Sequence, residues 1–305
     1  MVEINFFGLI NIVFALIFSP LLIGIINRIK AFFAGRQGQP VLQPYIDIRK
    51  LLYKGAVYSR TVGSIFVAGP IIALASMLAL LFLSPFGGIK AFLVFPGDLL
   101  VFAYLFGLAR FFTVLAALDT GSAFEGMGAS REVTYSALSE LSLFVGLLAL
   151  TMMTGTYSLS QIYSSLKTEH WLSSSASLIL VVAAFYVIFL SENARIPVDD
   201  PNTHLELTMI HEVMVLDHCG VDFAFIQYGA ALKMWLLGGL IVGLLSPSGE
   251  SPFYTFSAGL CGIVLLAVIT GIVESVMARL RLIRIPQLLV GALVLASLAV
   301  IIGVR

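Results

Sequence analysis

Runs of apolar residues, each near the length that crosses a bilayer, follow one another along the chain and are separated by short polar stretches. A spanning helix needs roughly 20 predominantly apolar residues. Read that way, the pattern predicts eight spans, at about 4–27, 64–86, 99–118, 136–156, 172–191, 223–245, 254–276 and 285–304. A membrane barrel would instead alternate polar and apolar positions over segments of about 10 residues, and no such segments are present. The expected fold class is all-α: an integral membrane protein, one polytopic domain over residues 1–305, with amphipathic segments beside its spans.

Composition agrees. Hydrophobic residues make up 59% of the chain and charged residues 11%, with a mean hydropathy of +1.03. Charge then orients the spans, because Lys and Arg collect in cytoplasmic loops. Of the 17 Lys and Arg, Arg28, Lys30, Arg36, Arg49, Lys50, Lys54 and Arg60 fall in the first loop. Arg131 and Arg195 fall in the third and fifth, and Arg279, Arg281 and Arg284 in the seventh. Only Lys90, Lys167 and Arg305 lie on the other side, while Arg110 and Lys233 fall within spans. The odd loops are therefore expected in the cytoplasm of a cell whose inner membrane holds the chain, with both termini outside. No basic run precedes the first span, which reads as a retained helix rather than a cleaved signal. The formal net charge is zero and no basic patch invites nucleic acid. Cys219 and Cys261 form no C-x-x-C pair, and a metal cluster needs about four ligands, so no metal or cofactor is expected in this chain. No phosphate-binding glycine loop follows a strand.

The informative polar segments all lie on the basic side, in loops of about 28–63, 119–135 and 192–222. In "GRQGQPVLQPYIDIRKLLYKG", residues 35–55, glycines and prolines break regularity as far as Pro44. Beyond it Ile48, Leu51 and Leu52 form an apolar stripe against Asp47, Arg49, Lys50 and Lys54. This predicts a short amphipathic helix along the membrane surface; a plain surface loop obeying the same charge rule is the alternative. In "LDTGSAFEGMGASREVTYSALSELSLF", residues 118–144, Gly121, Gly126 and Gly128 predict a flexible turn, after which Arg131 and Glu132 open a helix that carries Glu140 into the fourth span. A charged side chain at a helix centre costs about 2.5–3.5 kcal/mol on insertion scales, so Glu140 is expected to be paired or functional, unless it reaches water near the interface.

The third segment is "ARIPVDDPNTHLELTMIHEVMVLDHCG", residues 194–220, which holds three of the chain's four histidines. Pro197 and Pro201 make its start irregular, and Asn202 or Thr203 is placed to cap a helix. On that helix His204, His211 and His218, seven residues apart, share a face. Seven residues rise about 10.5 Å, too far for two imidazoles to share one ion. A titratable stripe remains, with Asp217 in reach of Glu212, and histidine is suited to passing protons near neutral pH. A solvated amphipathic helix is the alternative. Glu274 is placed to pair with Arg279, Arg281 or Arg284 or to face a cavity, and Lys233 and Arg110 add intramembrane charge.

Taken together, these segments resemble the family of respiratory-chain NADH dehydrogenase subunit 1, and more closely its branch in formate hydrogenlyase, hydrogenase 4 and other energy-converting membrane-bound [NiFe]-hydrogenases. "GRQGQPVLQPYIDIRKLL" resembles the family's first-loop motif, although Pro40 comes one position late. "LDTGSAFEGMGASRE" is close to the hydrogenase branch, whose "ENSMARLRL" matches "VESVMARLRL" here. "ENARIPVDDPNTHLEL" resembles Glu-x-x-Arg-x-Pro-Phe-Asp-x-x-Glu-x-Glu-x-Glu-Leu, through Glu192, Arg195, Pro197, Asp199, Glu206 and Leu207. Val198 replaces the aromatic, and Asn202 and His204 replace two glutamates. Glu140 falls where the family has a glutamate in the fourth span, and Asp217 where it has a glutamate shortly before Gly220.

The resemblance implies an anchoring and coupling subunit with no catalytic residue of its own. An iron–sulfur small subunit and a hydrogenase-like large subunit would dock on the cytoplasmic loops through Arg36, Gln43, Asp47, Lys50, Arg131 and Arg195. Those partners would carry the iron–sulfur clusters and the nickel–iron centre, and antiporter-like subunits would lie alongside in the bilayer. Proton passage and coupling would fall to Glu132, Glu140, Glu192, Asp199, His204, Glu206, His211, Glu212, Asp217 and Glu274, with His204 taking the place of a missing glutamate. A quinone-binding subunit of an NADH dehydrogenase and a self-standing cation or proton transporter are the competing readings. The altered acidic motif disfavours the former, and the lack of matching interrupted spans the latter.

Overall fold

A computed structural model of the chain describes residues 3–166, 171–172, 174–200, 209–246 and 252–303. Among them eight helices are long and apolar enough to cross a membrane. They are α1 (Gly8–Phe33), α3 (Ser64–Leu83), α4 (Asp98–Asp119), α5 (Ala123–Thr154), α7 (Ser175–Glu192), α8 (Gly220–Leu245), α9 (Pro252–Val276) and α10 (Ile285–Gly303). Two shorter helices lie outside this set, α2 (Gln43–Leu52) and α6 (Leu159–Ser165). Helices dominate because each satisfies its own backbone N–H and C=O groups, which hydrocarbon cannot do. The all-α polytopic fold expected from the hydropathy pattern is the one found. Among the described residues its strands amount to a two-residue antiparallel pair, Glu3–Ile4 with Leu93–Val94, tying the start of the described chain to the α3–α4 connection.

Helix α8 is the most deeply buried span and packs against α1, α2, α3, α7 and α9. α10 lies across α5 and α7, and α3 lies along α4. At the end away from α2, buried Asp98 accepts hydrogen bonds from Ser158 Oγ and the Leu159 amide, both at 2.7 Å. That bond pair fixes α6 beneath the start of α4.

The polar segments redraw several expected boundaries. α1 continues to Phe33, so Arg28 and Lys30 sit on its last turns rather than in a loop. α5 begins at Ala123 and takes in most of residues 119–135. Gly121 does turn the chain, at φ +67°, but Gly126 and Gly128 are helical. Hydropathy misses this stretch because its polar face is covered by other protein rather than by lipid. The amphipathic helix is present as α2, with Ile48 and Leu51 partly buried and Leu52 exposed.

Pro20 lies inside α1. A proline removes one backbone N–H and crowds the carbonyl four residues back, so the Leu16 carbonyl loses its ordinary partner. A tyrosine hydroxyl takes that place: Tyr228 of α8 donates to the Leu16 carbonyl at 2.9 Å, and beside it Tyr45 of α2 donates to the Ile17 carbonyl. One turn further on, Gly24 lets the approach to α2 run directly over α1, where a Cβ would stand 1.9 Å from the Val41 carbonyl oxygen. Gly24→Ala forces that contact apart, and overpacking of this kind costs about 1–3 kcal/mol. Purified G24A is expected to melt several degrees below the wild type in detergent. Gly291→Ala, at a position with open space around it, should leave the melting temperature unchanged.

Candidate functional site

A row of charged side chains crosses the interior of the bundle on the α2 side, and Arg110 is its centre. The α4 helix aims this guanidinium at three carboxylates from two other helices. Nε reaches Glu132 Oε1 at 3.2 Å, Nη1 pairs with Glu140 Oε1, and Nη2 reaches Glu192 Oε2 at 2.5 Å. Glu132 and Glu140, eight residues apart on α5, lie about two turns from each other, which suits the fork of one arginine. Glu192 ends α7, where it also accepts from Ser139 Oγ and pairs with Lys233 of α8 at 2.7 Å. Glu132 and Glu192 are buried, while the Glu140 side chain is 34% exposed on the flank of α5.

After Glu192 the chain leaves α7 through a left-handed residue, Ala194, at φ +51°. The Ala194 amide bonds the Ser191 carbonyl at 3.3 Å and the Arg195 amide bonds the Leu190 carbonyl at 2.9 Å. This is the helix stop in which glycine usually occupies the left-handed position; alanine holds it here at about 1 kcal/mol of strain. The turn drives Arg195 back into the protein, onto Glu274 at 3.4 Å, and Glu274 also pairs with Lys30 of α1 at 2.8 Å. The expected pairing of Glu274 with Arg279, Arg281 or Arg284 is therefore not made. α9 ends at Val276, and Arg279 turns instead to Asp199 at 2.8 Å. Arg195, expected at a partner surface, is 5% exposed and belongs to the interior network.

Asp199 is the clamp for the third segment. Its Oδ1 accepts from the Asp200 amide and Arg279, and its Oδ2 accepts from the amides of Ile210 and His211 at 3.1 and 3.2 Å. Residues 209–211 are thereby held beside residue 199. Burial works to raise the Asp199 pKa, but the hydrogen bonds and charge of His211 and the charge of Arg279 hold it below the usual carboxylate range. His211 then bridges inward, with Nε2 at 3.1 Å from Glu132 Oε2 and Nδ1 at 3.6 Å from Asp199 Oδ2. Its pKa is raised, because Glu132 and Asp199 outweigh the burial that acts to lower it.

The helix expected to run through His204, His211 and His218 is not formed across 209–219. Glu212–Val215 makes a single 3-10 turn, with Val213, Met214 and Val215 buried. Gly128 makes room for that turn on α5, since a Cβ there would stand 2.3 Å from Val213. His218 accordingly shares no face with His211. Its ring lies flat on Phe66 at 3.9 Å between centroids, and burial lowers its pKa. The helical spacing that would bring Asp217 to Glu212 is lost as well; the Asp217 amide donates to buried Glu125 instead. His204 and Glu206 lie outside the described residues.

Of the expected docking residues, Arg36 and Lys50 are exposed at the α2 end, and Gln43 is hydrogen bonded to Asp47 at 2.8 Å. Arg131 points to the third segment and donates to the Met209 carbonyl at 2.9 Å. The network also depends on Lys30 and Ser139, which sequence reasoning did not assign to it, and on Arg279, which was expected to face Glu274. The signal for Lys30 was only that a buried acid needs a cation. A cavity of about 140 Å³ opens beside Arg110, Glu132, His211 and Lys233, with Leu74 and Phe225 among its apolar walls. Charged and titratable groups thus succeed one another from Arg279 and Asp199, through His211, Glu132 and Arg110, to Glu192, Lys233 and Glu140 on the flank. Carboxylates and an imidazole at hydrogen-bond spacing can pass protons.

Removing one partner of a buried ion pair costs about 3–5 kcal/mol, and Arg110 serves three. Arg110→Gln is expected to yield little monodisperse protein, and Arg110→Lys, a point charge without the fork, an intermediate melting temperature. Asp199 adds a pH dependence of known sign. Its stabilisation is complete above the ordinary Asp pKa of about 3.9 and is lost as the pH falls through its lower folded value. Acidification should therefore narrow the difference in melting temperature between wild type and Asp199→Asn.

The sequence pattern of the NADH dehydrogenase family matches residues 6–305. The chain is 32% identical to hydrogenase-4 component C of Escherichia coli (strain K12), over 96% of this chain and 94% of that protein. It is also 32% identical to formate hydrogenlyase subunit 4 of the same organism, over 88% and 89%. Against an NADH-quinone oxidoreductase subunit of Rickettsia prowazekii (strain Madrid E) identity is 26%, over 70% and 62%. The fold is shared with a chain of the membrane-bound sulfane sulfur reductase, an archaeal respiratory membrane complex. There the TM-score is 0.84 at 21% identity, covering 97% of this chain and 98% of that one. With the spans, the motif residues and these matches in agreement along its length, the chain belongs to the family of NADH dehydrogenase subunit 1 and is similar to that family's hydrogenase-4 and formate hydrogenlyase members.

Proposed function

We propose that this protein is the membrane-anchoring and ion-coupling subunit of an energy-converting [NiFe]-hydrogenase complex of the formate hydrogenlyase or hydrogenase-4 type. It links redox chemistry in the cytoplasm to translocation of protons or sodium ions. The observation that carries the reading is the buried row from Asp199 through His211, Glu132 and Arg110 to Glu192 and Glu140. A passive anchor has no need of charges that are costly to hold inside a bilayer. The row starts at Asp199, in the segment that follows α7, and ends at the partly exposed Glu140 carboxylate of α5. That placement suits transfer between a docked redox partner and a neighbouring membrane subunit. The names of two relatives at 32% identity, hydrogenase-4 component C and formate hydrogenlyase subunit 4, support the type of complex.

In this reading the α2 end faces the cytoplasm, as its Lys and Arg direct, both termini lie outside, and the membrane is the cell's inner membrane. Arg36, Gln43, Asp47 and Lys50 meet an iron–sulfur small subunit and a hydrogenase-like large subunit, which hold the clusters and the nickel–iron centre. Antiporter-like subunits lie along the flank that exposes Glu140. Glu132, Glu140, Glu192, Asp199, His211 and Glu212 move or hold the transported charge, and Glu274 fixes α1 and α9 to the loop through Lys30 and Arg195. The family resemblance assigns His204, Glu206 and Asp217 to the same coupling role.

The test is purification of the whole complex from its native membrane, with metal analysis, hydrogen evolution, and ion uptake after reconstitution in vesicles. Glu140→Gln, at a partly exposed carboxylate whose loss leaves Arg110 its pairs with Glu132 and Glu192, is expected to assemble and keep redox turnover while ion uptake falls by about a hundredfold, the scale of a lost proton-transfer group. A chain that purifies without iron–sulfur or nickel-containing partners would overturn the reading.

A further inference from the structure

Arg110 holds the row together, and it also interrupts it. Its Nε meets Glu132 Oε1 at 3.2 Å, Nη2 meets Glu192 Oε2 at 2.5 Å, and Nη1 pairs with Glu140. Among the described residues no hydrogen bond or ion pair joins Glu132 to Glu192 or Glu140 except through this guanidinium. A guanidinium is not deprotonated in proteins, so it pins carboxylates without passing a proton between them. A proton that reaches Glu132 from His211 has to go round Arg110 to reach Glu192.

The cavity beside Arg110 offers the way round. Its volume is about 140 Å³, and it is lined by His211 and Glu132 before Arg110 in the row and by Lys233 beyond it. It has room for roughly four waters at ~30 Å³ each. From the cavity wall Lys233 reaches Glu192 Oε2 at 2.7 Å from Nζ, the same oxygen that Arg110 holds. An ammonium on a flexible stem, unlike a guanidinium, can release a proton and regain it. Glu192 already has Arg110 as its counter-ion, and its other oxygen accepts from Ser139 Oγ, so its charge is answered without Lys233.

The cavity wall also discriminates between ions. A hard cation takes about six oxygen ligands, whereas Arg110 and Lys233 offer only N–H donors. Both Glu132 oxygens are engaged, Oε1 by Arg110 and Oε2 by His211. The Thr113 hydroxyl, also on the wall, donates to the Ala109 carbonyl at 2.9 Å. A sodium ion finds no oxygen shell among these residues, and a proton needs none.

We propose that Lys233 carries protons past Arg110, between the cavity and Glu192, so that the row conducts protons rather than sodium ions; the proposal rests on the ion-coupling reading above. In the step, one Nζ–H bond of the Lys233 ammonium breaks and an O–H bond forms at Glu192 Oε2. The free amine then takes a proton from a cavity water, which is resupplied in turn from His211 and Glu132. Run backwards, the same bonds carry a proton the other way.

The experiment uses the whole complex reconstituted in vesicles. It measures protons taken up per electron pair transferred, in sodium buffer and in sodium-free potassium buffer. Lys233→Arg keeps a cation on Glu192 but has no proton to release. K233R is expected to melt near the wild type while the ratio falls about a hundredfold, the scale of a lost proton-transfer group. A lysine that only balances Glu192 would leave the ratio unchanged, so a wild-type ratio in K233R would overturn the proposal. Gly229→Leu tests the same route should K233R not assemble. Gly229 lines the cavity, and a Cβ there would stand 4.0 Å from Leu74, so a leucine enters the cavity and leaves every charged group in place. G229L is expected to lower the ratio by a similar factor, and an undiminished ratio would count against the route. Wild-type uptake that requires sodium would overturn the proposal as well. No ion uptake at all by the wild type would instead overturn the ion-coupling reading beneath it, and metal analysis decides separately whether the complex is a hydrogenase.

Discussion

One guanidinium holding three carboxylates inside a bundle of spanning helices is the constraint on which the rest of this protein depends. Arg110 brings α4, α5 and α7 to a common point, and Lys233 adds α8 through Glu192. In water such pairs contribute little. In the interior each acid needs its cation, so the positions of four helices are set by charge matching as much as by apolar packing. Lipid offers no hydrophobic force between helices, which makes this polar centre the natural organiser of the bundle.

The same constraint explains the loop that follows α7. Ala194 ends the helix in a left-handed turn, which sends Arg195 to Glu274 and places Asp199 where it can hold Arg279 and the amides of Ile210 and His211. The segment that carries His211 is thereby seated against α5, over the missing side chain of Gly128. Polar backbone at this depth is tolerated because it is buried in protein and tied by specific acceptors. The loop is therefore part of the charge row rather than a covering over it.

Much of the fold was legible because hydrophobicity is summed over whole spans. Eight apolar runs became eight helices, and the stripe of Ile48, Leu51 and Leu52 became α2. The site was legible only in part. Glu140, Arg110 and Lys233 stand out in a sequence because an intramembrane charge is rare, whereas Glu132 and Glu192 were placed in loops and were singled out through the family resemblance. Periodicity misled where the chain is not helical: the seven-residue spacing of His211 and His218 implied a common face, yet a 3-10 turn sends one to Glu132 and the other to Phe66. Glu274 misled in the same way, since nearby arginines looked like partners until the end of α9 turned them elsewhere.

The sequence by itself determined that the chain lives in a membrane, where its helices cross, that Arg110, Glu140 and Lys233 fall within spans, and the family to which its motifs belong. These follow from local composition, because the cost of placing a residue in hydrocarbon depends on that residue alone. Which cation meets which carboxylate was decided only by the tertiary structure. Lys30 with Glu274, Arg279 with Asp199 and Arg110 with Glu192 are separated by 244, 80 and 82 positions. Ion pairing acts through space, over a few ångströms between groups that no local pattern relates, so the pairing becomes readable only once the helices have packed.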